Sequence, residues 1–350
     1  MSLDLHRVRG ALLCSAVGDA LGRPIKAIEV TRRIHFKYGK EAPTRLAYSG
    51  AAPARVTDET QQVLFVADGL IRHQLHETDR STSVVHALRN WRRTQRGPGL
   101  IHSDGWLASD KRLYFRHLPE RTTELALDED GPTERPTLAH PVNTSAGPTA
   151  MTRALPYSIV SATLEEAFQS AFEDAAWTHG DPIAQLAAGY YAALNHGILR
   201  GIPFAQAIES ASVPLLAAEG LDGPIGRCID AAKHIAAGGP PSTEHLEAMG
   251  DARHADAALA IGLCCAMSVE DGTAYGFVRA MWRAVAHGGS SDTTGAVAGA
   301  LLGGLLGVDV VPHPWLIDLE MLDILEKTAK DLFATATSRP FNESDYPPFR

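Results

Sequence analysis

Alanine- and leucine-rich segments broken by glycine make up most of this 350-residue chain, and alternating apolar and polar residues are hard to find in it. Alternation with a period of two is typical of half-buried strands, whereas apolar residues three and four positions apart form one face of a helix. The pattern therefore predicts an all-α protein. Helical spacing runs from Leu5 to Leu21, and a second helix is predicted to begin near Asp58 with Thr57 as its N-cap.

The rest of the chain predicts one helical domain with an irregular middle. Between Arg96 and Pro148, Gly, Pro, Asp, Thr and Arg dominate, and a long irregular segment in a compact domain is typical of a binding surface. Further helices are predicted around residues 163–177, 182–198, 203–218, 224–236, 253–269, 274–286, 292–306 and 314–335. Since no linker divides the chain, we expect a single domain over residues 1–338 and a loop tail at 339–350.

Composition excludes several classes of protein. An apolar fraction of 45% with 21% charged residues is typical of a globular chain, and a net charge of −9 provides no basic field for a nucleic acid. No apolar run approaches the roughly 18 residues that cross a bilayer, so no membrane contact is expected. The four cysteines form no C-x-x-C pair, which indicates structural thiols and a reducing, cytoplasmic location.

Polar clusters lie at the ends of apolar helical segments, where backbone groups are unpaired and a ligand can approach. The first is GDALG, which on its own predicts a helix C-terminus with left-handed glycines and with Asp19 hydrogen-bonded to the turn. The second is VTDETQQVLF, with Thr57, Asp58 and Glu59 at a helix start. Capping and dipole complementation explain this second cluster, and the alternative is a set of hard oxygen ligands for Mg²⁺, Mn²⁺ or Ca²⁺.

Two more clusters follow in the C-terminal half. In AHGGSSDTTGAVAGALLGGLLG, Asp292 and Thr293 begin a helix whose glycines allow another backbone to approach closely. The residue types of this cluster match those of the second cluster. If the two helix starts meet at one point, their carboxylate and hydroxyl oxygens form one site, and this match favours metal binding over capping. In WTHGDP, His179 is either a core or capping histidine or a ligand contact. The sequence contains no HExxH, C-x₂-C, G-x-S-x-G or Walker A motif, so the hydrolase and NTPase classes they mark are not indicated.

In this order, the clusters resemble the ADP-ribosylglycohydrolase family, which includes dinitrogenase-reductase-activating glycohydrolase and the ADP-ribosylarginine hydrolases. The matching stretches span nearly the whole chain: GALLCSAVGDALGRP, VTDETQQVLFVADGLI, NWRRTQ, DGWL, SAGPTAMTRALP, WTHGDPIAQLAAGYYAA, ALAIGLCCAM and AVAHGGSSDTTGAVAGALLGGLLG. The resemblance implies an orthogonal helical bundle with a binuclear magnesium site in a cleft for ADP-ribose. It also implies hydrolysis of the glycosidic bond between ADP-ribose and a modified protein side chain, with arginine favoured.

The resemblance also implies roles for individual residues. Its Thr-Asp-Asp and Asp-x-Asp-Thr/Ser patterns assign the metal ligands Thr57, Asp58, Glu59, Asp292 and Thr293. Of these, Asp58, Glu59 and Asp292 are also the predicted catalytic residues, with Glu59 as ligand or general base. Substrate contacts are expected from Ser145, Gly147 and His179, and Asp19 is expected to support the site from behind the ligands.

Several positions depart from the family pattern, among them Pro148 and Thr149, which replace more flexible residues in GPTAMTR. Glu59 replaces an Asp, Ser290 replaces the first Asp of the second pattern, and Lys26 stands where many relatives carry a glutamate. Since hard divalent ions depend on ligand charge and number, losing one carboxylate should weaken the binding of at least one metal ion. Two magnesium ions are expected from the family, and a single ion is the alternative for this chain. The alternative function is that of a non-catalytic or weakly active ADP-ribose-binding or structural relative.

Overall fold

The computed structural model describes residues 2–26, 28–46, 53–97, 104–220, 222–269 and 271–349. Over these ranges the chain is helical and forms no β-strand, apart from an isolated parallel bridge between Ala54 and Leu319. The predicted all-α class is therefore confirmed. Among the helices in these ranges, none combines the length and apolarity that crossing a membrane requires.

The helices are named here in chain order. They are α1 (Leu5–Gly22), α2 (Thr31–Tyr38), α3 (Asp58–His76), α4 (Arg80–Thr94), α5 (Trp106–Ser109), α6 (Arg121–Ala126), α7 (Thr149–Thr152), α8 (Tyr157–Val160), α9 (Leu164–Ala175), α10 (Pro182–Leu199), α11 (Phe204–Glu219), α12 (Pro224–Ala237), α13 (Thr243–Ala248), α14 (Ala255–Met267), α15 (Ala274–Val285), α16 (Ser291–Leu306), α17 (His313–Asp318) and α18 (Leu322–Ala336). Single 3₁₀ turns lie at Lys111–Tyr114, Val308–Val310 and Glu343–Asp345.

The centre of the fold is an antiparallel pair formed by α1 and α16, both of which are buried along most of their length. Their backbones touch at glycines: a Cβ placed on Gly18 would lie 1.9 Å from the carbonyl oxygen of Gly295, and one on Gly299 would lie 2.0 Å from that of Cys14. Gly22, at the end of α1, contacts Ser291, at the start of α16, in the same way. Because the pair is antiparallel, the last turn of α1 lies beside the first turn of α16.

This packing corrects one expectation from the sequence. The glycines of GDALG were expected to adopt left-handed conformations at a helix C-terminus, but Gly18 and Gly22 both lie within α1 and neither has a positive φ. Close approach of α16 explains these glycines, since any side chain there would overlap its backbone.

A second expectation, of one helix over 314–335, is also wrong at its centre. α17 ends at Asp318, the backbone N–H of Glu320 donates to the carbonyl oxygen of Ala54 at 3.0 Å, and α18 then begins after Met321 in a left-handed conformation. The chain leaves helical geometry here because its backbone pairs with the segment that leads into α3. Helices α2, α4 and α13 and the short helices α5, α6, α7 and α8 were not predicted.

The C-terminal tail is mostly loop, as expected, and it packs against the bundle. Tyr346 is 1% exposed, and its hydroxyl donates to Asp331 Oδ2 on α18 at 2.7 Å. The guanidinium of Arg72 on α3 lies 4.5 Å from the ring centroid of Phe349. The cysteines are free thiols, and Cys14, Cys264 and Cys265 are buried, in agreement with a structural role.

Candidate active site

The C-terminal end of α1 and the N-terminal ends of α3 and α16 meet inside the bundle. The hydroxyl of Thr293, in the first turn of α16, donates to Glu59 Oε1, in the first turn of α3, at 2.7 Å across 234 residues of sequence. The two helix starts that the sequence analysis singled out are therefore in direct contact. A chain whose Thr and Asp residues only cap separate helices would not show this contact.

Asp19 fixes the start of α3 from the end of α1. Its Oδ2 atom accepts hydrogen bonds from the backbone N–H of Thr57 at 2.8 Å, the backbone N–H of Thr60 at 3.3 Å and the hydroxyl of Thr60 at 2.6 Å. Thr57 is the N-cap of α3, as predicted: its hydroxyl oxygen accepts a hydrogen bond from the backbone N–H of Glu59 at 3.2 Å. Burial and the nearby Asp292 raise the pKa of Asp19 to about 6. This geometry suits a residue that positions the others.

Glu59 is enclosed by threonine hydroxyls. Besides Thr293, the hydroxyl of Thr149 donates to Oε1 at 3.5 Å and that of Thr152 donates to Oε2. Burial, together with the charge of Asp292, raises the pKa of Glu59 to about 7, against a smaller opposing effect of Lys26 and the hydroxyls. A carboxyl group with a pKa near neutral is suited to proton transfer.

Asp292 forms an ion pair with Lys26. The ammonium nitrogen of Lys26 lies 2.6 Å from Asp292 Oδ2, and the Asp292 side chain is fully buried whereas that of Lys26 is 32% exposed. Burial lowers the pKa of Lys26, but the charges of Asp292, Asp58 and Glu59 more than compensate and raise it above the usual value. The other oxygen of Asp292, Oδ1, is buried and has no hydrogen-bond partner among the described residues.

Asp58 is held by a neighbour on its own helix and by the irregular segment. Its Oδ2 atom accepts from Gln62 Nε2 at 3.1 Å and from the backbone N–H of Glu120 at 3.0 Å. Gln62 Oε1 in turn accepts from Arg153 Nη1 at 3.1 Å. Burial and the adjacent Glu59 raise the pKa of Asp58 well above its ordinary value.

A series of side-chain contacts connects Arg153 to Glu120 through Thr178 and His179. Arg153 Nη2 donates to the hydroxyl of Thr178 at 2.6 Å, that hydroxyl lies 2.8 Å from His179 Nδ1, and His179 Nε2 lies 3.0 Å from Glu120 Oε2. Burial raises the pKa of Glu120, but His179, the hydroxyl of Thr123 and the charge of Arg153 together outweigh burial and lower that pKa to about 2. The contacts thus form a closed ring that begins and ends at Asp58.

The predicted substrate contacts lie beside this ring. The backbone N–H of Gly147 donates to the hydroxyl of Ser145 at 3.2 Å. A Cβ on Gly147 would lie 2.4 Å from Glu120 Oε1 and 3.0 Å from His179 Nε2, so only glycine fits there without a shift. His179 is buried, and its Nδ1 atom is bonded to the Thr178 hydroxyl. Its Nε2 atom lies 3.0 Å from Glu120 Oε2 but has no hydrogen-bond partner among the described residues. Contact with substrate remains a prediction for Ser145, Gly147 and His179.

The residues present do not fit a pair of divalent cations. In the portions of the chain described, no three His, Cys, Asp or Glu side chains are placed to hold a metal ion. One oxygen of Asp292 is bonded to Lys26, both oxygens of Glu59 accept threonine hydroxyls, and Ser290 contributes no charge. A single magnesium ion remains a prediction from the resemblance.

Several residues of the site escaped sequence reasoning. Thr149 and Thr152 are three positions apart in α7, so both hydroxyls face the same way, and this spacing could have been found within SAGPTAMTRALP. Lys26 was identified as a departure from the family pattern but not as the partner of Asp292. Glu120 carries no sequence signal, because it lies in the irregular segment and reaches the site through tertiary packing.

Comparison with known proteins identifies the family. The family model for ADP-ribosylglycohydrolase matches residues 1–340, and the chain belongs to this family. No curated protein matches the chain. A solved structure titled "ADP-ribosylglycohydrolase-related protein complex" is similar in fold, with a TM-score of 0.66 and 24% sequence identity over 95% of this chain and 98% of that one. The expected all-α fold of this family is therefore confirmed.

Proposed function

We propose that this protein hydrolyses the glycosidic bond between ADP-ribose and a modified protein side chain, with arginine as the favoured linkage. Membership of the family supports hydrolysis of ADP-ribosyl bonds in general. The observation that carries the proposal for this chain is the hydrogen bond between Thr293 and Glu59, which brings Asp58 and Asp292 to the same buried place.

The chemistry of the bond suits a cluster of buried carboxylates. Cleavage at the anomeric carbon of ribose develops positive charge there, and fixed negative charges nearby stabilise it. Glu59, with its pKa near 7, accepts a proton from the attacking water as the new C–O bond forms. The C–N bond to the guanidine breaks, and the departing nitrogen takes up a proton, which balances the one removed from water.

The remaining residues position these groups. Asp58 is held by Gln62 and by the backbone of Glu120, and so its orientation is fixed before substrate arrives. The loop at Ser145–Gly147 lies beside Glu120 and is proposed to contact the diphosphate and the distal ribose. To bind the diphosphate, the backbone N–H groups of Ser145 and Gly147 would exchange their present bonds, to Asn143 and to the Ser145 hydroxyl. Magnesium is part of the proposal as a single ion at Asp292, Glu59 and Thr293, with Mn²⁺ or Ca²⁺ as alternatives, and no step above requires it.

The test uses a protein or peptide that carries ADP-ribose on arginine, with release of free ADP-ribose as the readout. Asp292→Asn should lower the rate at least 100-fold while circular dichroism shows a folded chain. Asp323→Asn is the matched control, since Asp323 lies in the first turn of α18, is 70% exposed and pairs with Arg112 at the surface. Equal rates for the wild type and Asp292→Asn would refute the proposal.

One observation favours the second candidate, a non-catalytic ADP-ribose-binding relative. The pairing of Lys26 with Asp292 occupies a carboxylate that the hydrolase would use. This candidate predicts an increase in melting temperature with ADP-ribose and no turnover of ADP-ribose linked to arginine, serine or other side chains.

A further inference from the structure

The acidic cluster of this protein contains its own cation. Asp19, Asp58, Glu59 and Asp292 are all at most 2% exposed, and the ammonium group of Lys26 lies 2.6 Å from Asp292. We propose that Lys26 is the resident counter-ion of this cluster and takes the place of a divalent ion, so that the site binds at most one such ion. The proposal does not depend on the function proposed above.

Electrostatics supports a fixed positive charge here. A buried carboxylate without a partner is costly, and four of them in one place repel one another. Lys26 bonds directly to Asp292, and its charge also interacts favourably with Asp58 and Glu59. One ammonium therefore serves three of the four acids.

The backbone holds Lys26 in this position. Its N–H donates to the carbonyl oxygen of Gly22 at 3.0 Å, and the neighbouring Ile25 is fully buried and bonds to the same carbonyl at 2.8 Å. Gly22 is itself locked against Ser291 of α16. The turn that carries Lys26 is therefore bonded to the end of α1, which in turn contacts the start of α16. These contacts fix the backbone from which the ammonium group reaches Asp292.

The partners of Asp292 and Glu59 compete with a second divalent ion. An ion at Asp292 Oδ2 would have to displace the ammonium, and an ion at Glu59 would have to displace the hydroxyls of Thr152 and Thr293. Two carboxylate oxygens of the cluster, Asp292 Oδ1 and Asp19 Oδ1, are buried and lack a hydrogen-bond partner among the described residues. Because no three acidic side chains in these ranges are placed around a common point and Lys26 already holds Asp292, we expect one ion at most.

The experiment counts Mn²⁺ bound to the full chain by isothermal titration calorimetry and electron paramagnetic resonance after treatment with EDTA. Wild-type protein should bind no more than one ion. Lys26→Met, which removes the charge, and Lys26→Glu, which adds a carboxylate, should each bind one ion more than the wild type or bind it at least tenfold more tightly. The melting temperatures of both variants should rise with Mn²⁺ by more than that of the wild type, and EDTA should reverse the rise.

Two controls accompany these variants. Lys327→Met removes a lysine of equal exposure, 31%, that also pairs with carboxylates, Asp331 and Asp345, and it should leave Mn²⁺ binding unchanged. Lys26→Arg keeps the charge and should keep the wild-type count, which provides a folded variant if the others fail to fold.

Two results would overturn the proposal. One is the binding of two Mn²⁺ ions by the wild type, which needs no variant to observe. The other is folded Lys26→Met and Lys26→Glu proteins that bind Mn²⁺ no better than the wild type. Neither readout requires turnover, so an inactive protein with the expected ion counts would refute the proposed function and leave this inference standing.

Discussion

Replacing Gly299 by alanine tests whether the contact between α1 and α16 sets both stability and the geometry of the site. A Cβ at this position would lie 2.0 Å from the carbonyl oxygen of Cys14, whereas ordinary contact begins near 3.4 Å. The nearest atoms all belong to the backbone of Cys14 and Ser15, so rotation of a side chain cannot relieve the overlap. Relief requires the two helices to separate by about 1.4 Å, the difference between these distances.

The energetic cost follows from two opposing terms. Overpacking a well-packed core costs about 1–3 kcal/mol, and a collision with backbone lies at the upper end of this range. Alanine is favoured over glycine within a helix by about 1 kcal/mol, which offsets part of the loss. We expect a net loss of about 2 kcal/mol in the free energy of unfolding.

The same separation would reach the site. Asp19 of α1 is bonded to the start of α3, so α3 is expected to move with α1. The bond between Thr293 of α16 and Glu59 of α3 is 2.7 Å long, and an added displacement of about 1.4 Å would place these atoms beyond the 3.5 Å limit of a hydrogen bond. Gly299→Ala should therefore lose activity by more than its fraction of unfolded protein explains.

Urea unfolding followed by circular dichroism measures the stability. Gly226→Ala is the control, because Gly226 is a helical glycine of α12 whose Cβ would meet no backbone and only the carboxylate of Glu219, at 3.2 Å. That variant should be unchanged or more stable by up to about 1 kcal/mol. If Gly299→Ala were as stable as the wild type, the claim that backbone contact holds α1 to α16 would be wrong.

Two further predictions concern buried polar groups outside the site. Burial and Arg200 lower the pKa of His196 to about 4, below its unfolded value near 6.5. The free energy of unfolding should therefore be highest above pH 6.5 and should decrease by up to about 3 kcal/mol as the pH falls toward 4. His196→Gln should flatten this part of a urea-unfolding profile between pH 7.5 and 4.5, and an unchanged slope would contradict the assignment. Tyr346→Phe should lose about 1 kcal/mol of unfolding free energy with its hydrogen bond to Asp331, whereas Tyr275→Phe, 66% exposed, should not change it.

Sequence patterns predicted the long helices well, because burial of an apolar face determines them. α1, α10 and α16 lie within one residue of their predicted positions, and α3 begins at the predicted Asp58. The break between α17 and α18 was missed because no glycine or proline marks it; the backbone of Glu320 instead bonds to Ala54, far away in sequence. A contact of this kind cannot be inferred from local periodicity.

The same distinction between local sequence patterns and distant contacts applies to the site. Asp58, Glu59 and Asp292 could be found because two similar clusters at helix starts suggested a shared location. The pairing of Lys26 with Asp292 and the return from Asp58 to Glu120 could not, since each depends on how a turn or an irregular segment packs in three dimensions. The residue types were readable from the chain, but their partners were not.

The antiparallel contact of α1 with α16 has a consequence for biosynthesis. Asp19 leaves the ribosome early, but Asp292 follows only after most of the polypeptide has been synthesised. A nascent or truncated chain that stops before α16 lacks Asp292 and Thr293, and its first helix has no partner for its row of glycines. Joining segments so distant in sequence is slow compared with forming local helices. Maturation of the site should therefore coincide with the final steps of folding, after translation of the last quarter of the protein.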